Sequence, residues 1–213
     1  MNYRSEKVFK TPFTGEYWQL AINELKYVKV IILVSILISM SIGLEYLGKL
    51  IPIEFLTRKV FFSFLPIALS SMLFGPVAAL VFGFIADILG FLVISPGTFF
   101  PGYTLSAMLG AFIYSIFLYR TRITVLKIFL AKLTVNVFVN SILGSLWLHI
   151  MLYNPEIENS KTFIVYLTGG FLKNMILLPF EVVLLVIMFK RIIPISKSFN
   201  LISDDVSNEI KLI

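Results

Sequence analysis

Asp87, Lys132, Asn136, Asn140, Lys173, Asn174 and Glu181 stand inside stretches otherwise built from Leu, Ile, Val and Phe. Polar groups in such runs are costly beside lipid and turn toward a protein interior or a water-filled cavity. Lys132, Asn136, Asn140, Gly144 and Trp147 are spaced at intervals of four, four, four and three, which puts them on one helix face. Tyr166, Gly169, Gly170 and Lys173 align in a later run. Amides and a carboxylate can read the donors and acceptors of a heterocycle, and aromatic rings can stack on its faces. Arg58, Lys59 and Lys173 could attract a carboxylate. This is the chemistry of recognition, without bond making.

A second feature is the stretch SPGTFFPGYTLSA, residues 95–107, with two prolines, two glycines and three aromatics between Pro96 and Tyr103 and no charge. Pro and Gly set turns, so a loop is expected here. An aromatic loop either packs against neighbouring helices or closes over a ligand with flat faces. Singly, each polar residue reads equally well as structure: Asn bonds helices together, and Asp87 could pair with a lysine. Taken together, the Asn/Trp stripe, Lys173-Asn174 and the aromatic loop favour a pocket. His149, the single histidine, falls near the outer end of its run and reads as interfacial.

Catalysis is poorly supplied. There is no cysteine, one histidine, no HExxH, no Gly-x-Ser-x-Gly elbow and no phosphate-binding P-loop. The chain is not expected to be an enzyme, and no cofactor or metal is implied.

The elements that must hold these residues are set by composition. Of 213 residues, 58% are hydrophobic and 14% charged, with a mean hydropathy of +0.93. Soluble domains carry about 25% charge. The expected fold is all-α, a six-transmembrane-helix integral membrane protein, with apolar segments at about 28–47, 60–75, 76–94, 102–119, 123–152 and 162–190. Residues 1–27 form a cytoplasmic or interfacial N-terminal segment, 28–192 the membrane domain and 193–213 a cytoplasmic tail. Gly75-Pro76 should make a tight antiparallel hairpin of the second and third segments. Thr14 to Tyr27 reads as a short amphipathic helix with Trp18 at the interface. The first 25 residues include Glu6, Glu16 and Glu24 and do not read as a cleavable signal.

The net charge of +6 comes from residues flanking the apolar runs, so it points to membrane topology and not to nucleic acid. With the N-terminus inside, twelve Lys and Arg fall on the cytoplasmic side and four (Lys49, Arg58, Lys59 and Lys161) on the other. Both termini are therefore expected to be cytoplasmic. Loops 48–59, 95–101 and 153–161 would then share the outer face, as around the mouth of a site.

Ser35, Ser39 and Gly43 recur every four residues in the first segment. Small residues at this spacing make a flat strip for close helix approach. The partner is either a helix of this chain or a separate membrane protein.

In order along the chain, FSFLPIALSSMLFGPVAALVFGFIADILGF, FFPGYTLSAMLGAFIYSIFLY, LAKLTVNVFVNSILGSLWL and LKNMILLPFEVVLL resemble the folate-specific substrate-binding (S) component of energy-coupling factor (ECF) transporters. The resemblance covers roughly residues 28–192. It implies a six-helix vitamin-binding membrane protein whose cavity opens outward, working with a transmembrane coupling protein and two cytoplasmic ATPases in the cell membrane. It implies that Ser35, Ser39 and Gly43 contact the coupling protein. Phe99, Phe100 and Tyr103 would form a lid over the pterin and aminobenzoate of folate. Asn136, Asn140, Asp87 and Asn174 would bond the pterin, with Ser106 beside them and Trp147 as a wall. Lys173 or Lys59 would meet negative charge. Lys59 stands where the family often has an arginine, and Phe61 where it often has a small residue; a lysine is no bidentate clamp. An S component for riboflavin, thiamine or pantothenate stays open, as does a membrane lipid enzyme or a structural membrane subunit.

Overall fold

Long runs of Leu, Ile, Val and Phe with few interior charges fold as helices, because in an apolar medium every backbone N–H must find its partner within its own segment. The computed structural model describes residues 9, 12, 14–50, 62–94, 97–152, 162–202 and 210–212, and the backbone alone of 54–55 and 58–59. Helix α1 spans Gly15–Glu24 and α2 Val28–Leu50. Two-residue strands β1 (Glu54–Phe55) and β2 (Arg58–Lys59) pair antiparallel. Then come α3 (Phe64–Ile94), α4 (Pro101–Leu118) and α5 (Val125–Thr134). The rod of α5 continues as a π-helical stretch, Val135–Leu143, and then as α6 (Gly144–Leu152). Helix α7 runs from Phe163 to Ser198.

Among the described residues, a helix runs through each of the six expected segments, the second from Phe64 onward. Four helices among the described residues (α2, α3, α4 and the rod 125–152) are long and apolar enough to cross a membrane by length and composition. Gly75 breaks α3 with φ 81°, a left-handed conformation that favours glycine. It packs under Tyr119 at the end of α4; a Cβ there would meet that ring at 2.8 Å. Before the break, Ser71 Oγ donates to the Ala111 carbonyl (2.9 Å). After it, Gly83 lies against the Ala107–Met108 backbone, where a Cβ would come within 2.7 Å. Both limbs thus lead from Gly75 back along α4, the reversal expected of a hairpin.

The core lies among α2, α3, α4, α5 and α7, around Phe74, Phe82, Leu118, Ile128, Leu185 and Phe189. Large apolar side chains also cover the outside, Leu92 at 72% and Ile164 at 67% exposure among them, as lipid-facing surfaces require. At one end the chain is laced to the α4–α5 turn. Phe9 N–H donates to the Arg120 carbonyl (2.8 Å) and Val125 N–H to that of Lys211 (2.9 Å). Helix α1 docks there through its apolar face. Tyr17 and Ala21 are buried, Trp18 stacks on Phe112, and Tyr119 Oη donates to Glu24 Oε1 (3.0 Å), which also pairs with Arg120 (3.3 Å).

Candidate functional site

The start of α3, α4, the π-helical rod and α7 enclose a cavity of about 420 Å³, within the usual range of about 300–1,000 Å³ for small-molecule sites. Helix α4 presents Tyr103, Ser106, Gly110 and Tyr114 to it, a run of three- and four-residue steps along one face. Asn140 comes from the rod, and Lys173 and Asn174 from α7. The apolar walls are Ile67, Val135, Val139 and Leu177.

The π stretch fits the rod to α7. Wider π turns are frequent at functional sites, and here they carry the asparagines. Asn136 is fully buried. Its Nδ2 donates to Glu181 Oε2 (2.8 Å) and to the Asn174 carbonyl (3.1 Å). Its Oδ1 accepts from Asn140 Nδ2 (2.9 Å), and its carbonyl from Ser141 Oγ (2.7 Å). Asn174 Nδ2 donates to Ser141 Oγ (2.9 Å). Asn136 therefore cements α7 to the rod from behind, while Asn140 is held by it and faces the cavity.

At one end of the cavity, Lys132 and Glu181 form a buried ion pair, Nζ to Oε1 3.0 Å. The Lys132 ammonium also sits over the Phe64 ring, 4.0 Å from its centroid, where the negative ring face stabilises a cation. Phe64, Lys132 and Glu181 all line the cavity, with Tyr114 beside them. The sequence marks Lys132 and Glu181 as intramembrane charges. Their pairing across 49 positions is a product of the fold.

At the other end, where α4 begins, Trp147 Nε1 donates to Ser106 Oγ (2.8 Å). Phe100 lies between Trp147 and Tyr103, ring centroids 5.6 and 5.9 Å away. Helix α4 already begins at Pro101, so Tyr103 belongs to its first turn and not to a loop. Phe99 turns away toward Phe91, at 5.2 Å. A neighbouring recess holds Glu45, Lys49, Asp87, Thr98, Phe99 and Phe100, with Tyr103 as the wall it shares with the cavity. Asp87 accepts from Thr104 Oγ1 (2.6 Å), and Lys49 Nζ donates to the Ile94 carbonyl.

The structure thus brings Tyr103, Ser106, Asn140, Lys173 and Asn174 to one cavity, with Trp147 and Phe100 bracing the end where α4 begins. Asn136 stands behind the wall. Asp87 and Phe99 open on the adjoining recess. The side chain of Lys59 and the loop 153–161 lie outside the described residues. Sequence reading passed over Tyr114 and Phe64. Tyr114, four residues past Gly110 and eight past Ser106, carried a signal in that spacing; Phe64 carried none.

On α2, Ser35 and Ser39 return their hydroxyls to the carbonyls of Ile31 (2.9 Å) and Ser35 (3.0 Å), both on an exposed surface. A Cβ on Gly43 would meet nothing within 4 Å. Among the described residues, then, the strip packs on no helix of this chain.

The family model for "ECF transporter, substrate-specific component" matches residues 29–189. The folate transporter FolT of Clostridium novyi (strain NT) is 35% identical over 124 residues, 58% of this chain and 70% of that protein. The folate transporter FolT of Leuconostoc mesenteroides subsp. mesenteroides is 28% identical over 148 residues, 69% and 79% of the two chains. A crystal structure of FolT bound with folic acid superposes with a TM-score of 0.61 at 32% identity, covering 73% of this chain and 88% of that one.

Proposed function

The chain belongs to the family of ECF transporter substrate-specific components, and on that premise we propose that it captures folate from outside the cell for import. The observation that carries this reading is the cavity, which lies within the residues matched by the family model and is lined by amides, a lysine and aromatic rings. The planar heterocycle finds hydrogen bonds from Asn140 and Asn174. Tyr103 and Phe100 offer aromatic faces at the outer end, with Trp147 and Ser106 holding that end in place. Lys173 attracts the carboxylates.

In this reading the protein crosses the cell membrane six times, through α2, the two limbs of α3, α4, the 125–152 rod and α7. Residues 28–192 form the substrate-binding domain, and residues 1–27 and 193–213 lie with both termini in the cytoplasm. It has no energy source of its own, so transport depends on a coupling protein and two ATPases. The exposed strip Ser35, Ser39 and Gly43 is the surface for the coupling protein, because close backbone approach needs small residues with nothing in front of them.

The test is folic acid binding to the detergent-purified protein by quenching of tryptophan fluorescence, with riboflavin and thiamine as competitors. Saturable binding of folic acid alone is expected, weakened at least tenfold in Asn140→Ala and Trp147→Ala at unchanged expression. Absence of folic acid binding in the unaltered protein would overturn the reading. Ser35→Leu with Ser39→Leu should abolish cellular uptake and leave folic acid binding intact; surviving uptake would remove the strip from the coupling surface.

A further inference from the structure

The Lys132–Glu181 end of the cavity carries a hydroxyl that the protein leaves unanswered. Tyr114 is 2% exposed, lines the cavity, and among the described residues its Oη has no hydrogen-bond partner. Buried side-chain hydroxyls nearly always have one. Beside it stands the Lys132–Glu181 pair. An ammonium has three donors, and among the described residues that of Lys132 meets one carboxylate oxygen and one ring face. Among the described residues, the two Glu181 oxygens each take one donor, from Lys132 and from Asn136. Each oxygen has a second lone pair.

From this we infer that Tyr114, together with Lys132 and Glu181, is the specificity floor of the site, reading the hydrogen-bonding edge of a neutral, planar end of the ligand. The inference rests on the cavity being the ligand site. Charge decides which end enters. A carboxylate pushed to the floor meets Glu181, and an ammonium meets Lys132, so either loses about what it gains. A neutral edge with a carbonyl acceptor beside N–H and amino donors suits all three groups at once: Lys132 donates, Glu181 accepts, and the Tyr114 hydroxyl turns to do either. The lactam and amino edge of an amino-oxo-pyrimidine ring has this pattern. Lys173 stands eight residues before Glu181 on α7, about 12 Å along the helix at 1.5 Å per residue. The ligand therefore lies heterocycle inward, with its anionic end at the level of Lys173.

The experiment uses the full chain in detergent, Tyr114→Phe against the unaltered protein. Two ligands are titrated calorimetrically: folic acid, and pteroic acid, which has the same heterocycle without the glutamate. Thermal unfolding is measured without ligand. Losing one hydrogen bond to the heterocycle should weaken both ligands about tenfold and by the same factor. The ligand-free unfolding temperature should not fall, since no protein hydrogen bond is lost. Unchanged folic acid binding in Tyr114→Phe overturns the inference. So does a loss seen with folic acid but not with pteroic acid, which would place Tyr114 at the anionic end. A lower unfolding temperature without ligand overturns it as well, by giving the hydroxyl a partner within the fold. If the unaltered protein binds neither ligand, it is the folate reading itself that falls.

Discussion

Replacing Glu181 by Leu leaves the Lys132 ammonium, 2% exposed, without the carboxylate that stands 3.0 Å from it. At that separation, with an effective dielectric of about 20, the lost attraction is about 5 kcal/mol. The pair had already given up hydration to be buried, so this figure is not its net worth; the cost of the substitution comes from stranding the remaining ion. Removing one partner of a buried pair typically costs about 3–5 kcal/mol. Here the Asn136 amide also loses its 2.8 Å acceptor on Glu181, which puts the expectation at the upper end. At roughly 2–4 °C per kcal/mol for a domain of this size, the unfolding temperature should drop by on the order of 10 °C. The double variant Lys132→Met/Glu181→Leu removes both charges at similar volume and should recover most of that loss, falling short by the Asn136 hydrogen bond that it also lacks. Both would be followed by circular dichroism melts in one detergent, without ligand. A double variant as unstable as the single one, or a single variant that loses less than about 1 kcal/mol, would refute the claim that these two charges compensate each other.

Two further outcomes follow from packing and burial. Gly83→Ala should destabilise by about 1–3 kcal/mol in the same melts, because the new methyl meets the rigid Ala107–Met108 backbone at 2.7 Å and the helices must part; an unchanged melt would show that α3 and α4 can separate freely. Burial, with Tyr119 adding to it, pushes the Tyr17 phenol above its ordinary value near 10. Below about pH 10 folded and unfolded chains both hold that proton, and the stability is fully present. As pH rises further the unfolded chain ionises first, so stability should decline above about pH 10 more steeply than in Tyr17→Phe. Parallel pH profiles for the two proteins would count against a buried Tyr17.

The helices were legible in the sequence because lipid imposes a one-dimensional rule: a run of about 20 apolar residues must satisfy its own backbone. That rule located the six segments, and Gly75-Pro76 marked the reversal inside α3. The four-residue steps likewise placed Ser35, Ser39 and Gly43 on one face, but spacing alone could not say whether that face was covered. The open space beside Gly43 shows it uncovered among the described residues.

The site was legible only as a list of candidates. Asn136 and Asn140 differ by one step of the same stripe, yet one is fully buried behind the wall and the other faces the cavity. The π turns between Val135 and Leu143 and the glutamate on α7 make that difference. Asp87 looked like a fellow of the asparagines, but Tyr103 stands between its recess and theirs. Spacing put Tyr114 on the face of Ser106 and Gly110, but only the fold showed its hydroxyl beside Lys132 and Glu181 with no partner among the described residues. By itself the sequence determined which segments become helices and which side chains are too polar to face lipid, since both follow from local solvation. Which of those side chains meet one another was decided by the packing of α4, the π-helical rod and α7, because pairing across dozens of residues depends on helix rotation and depth.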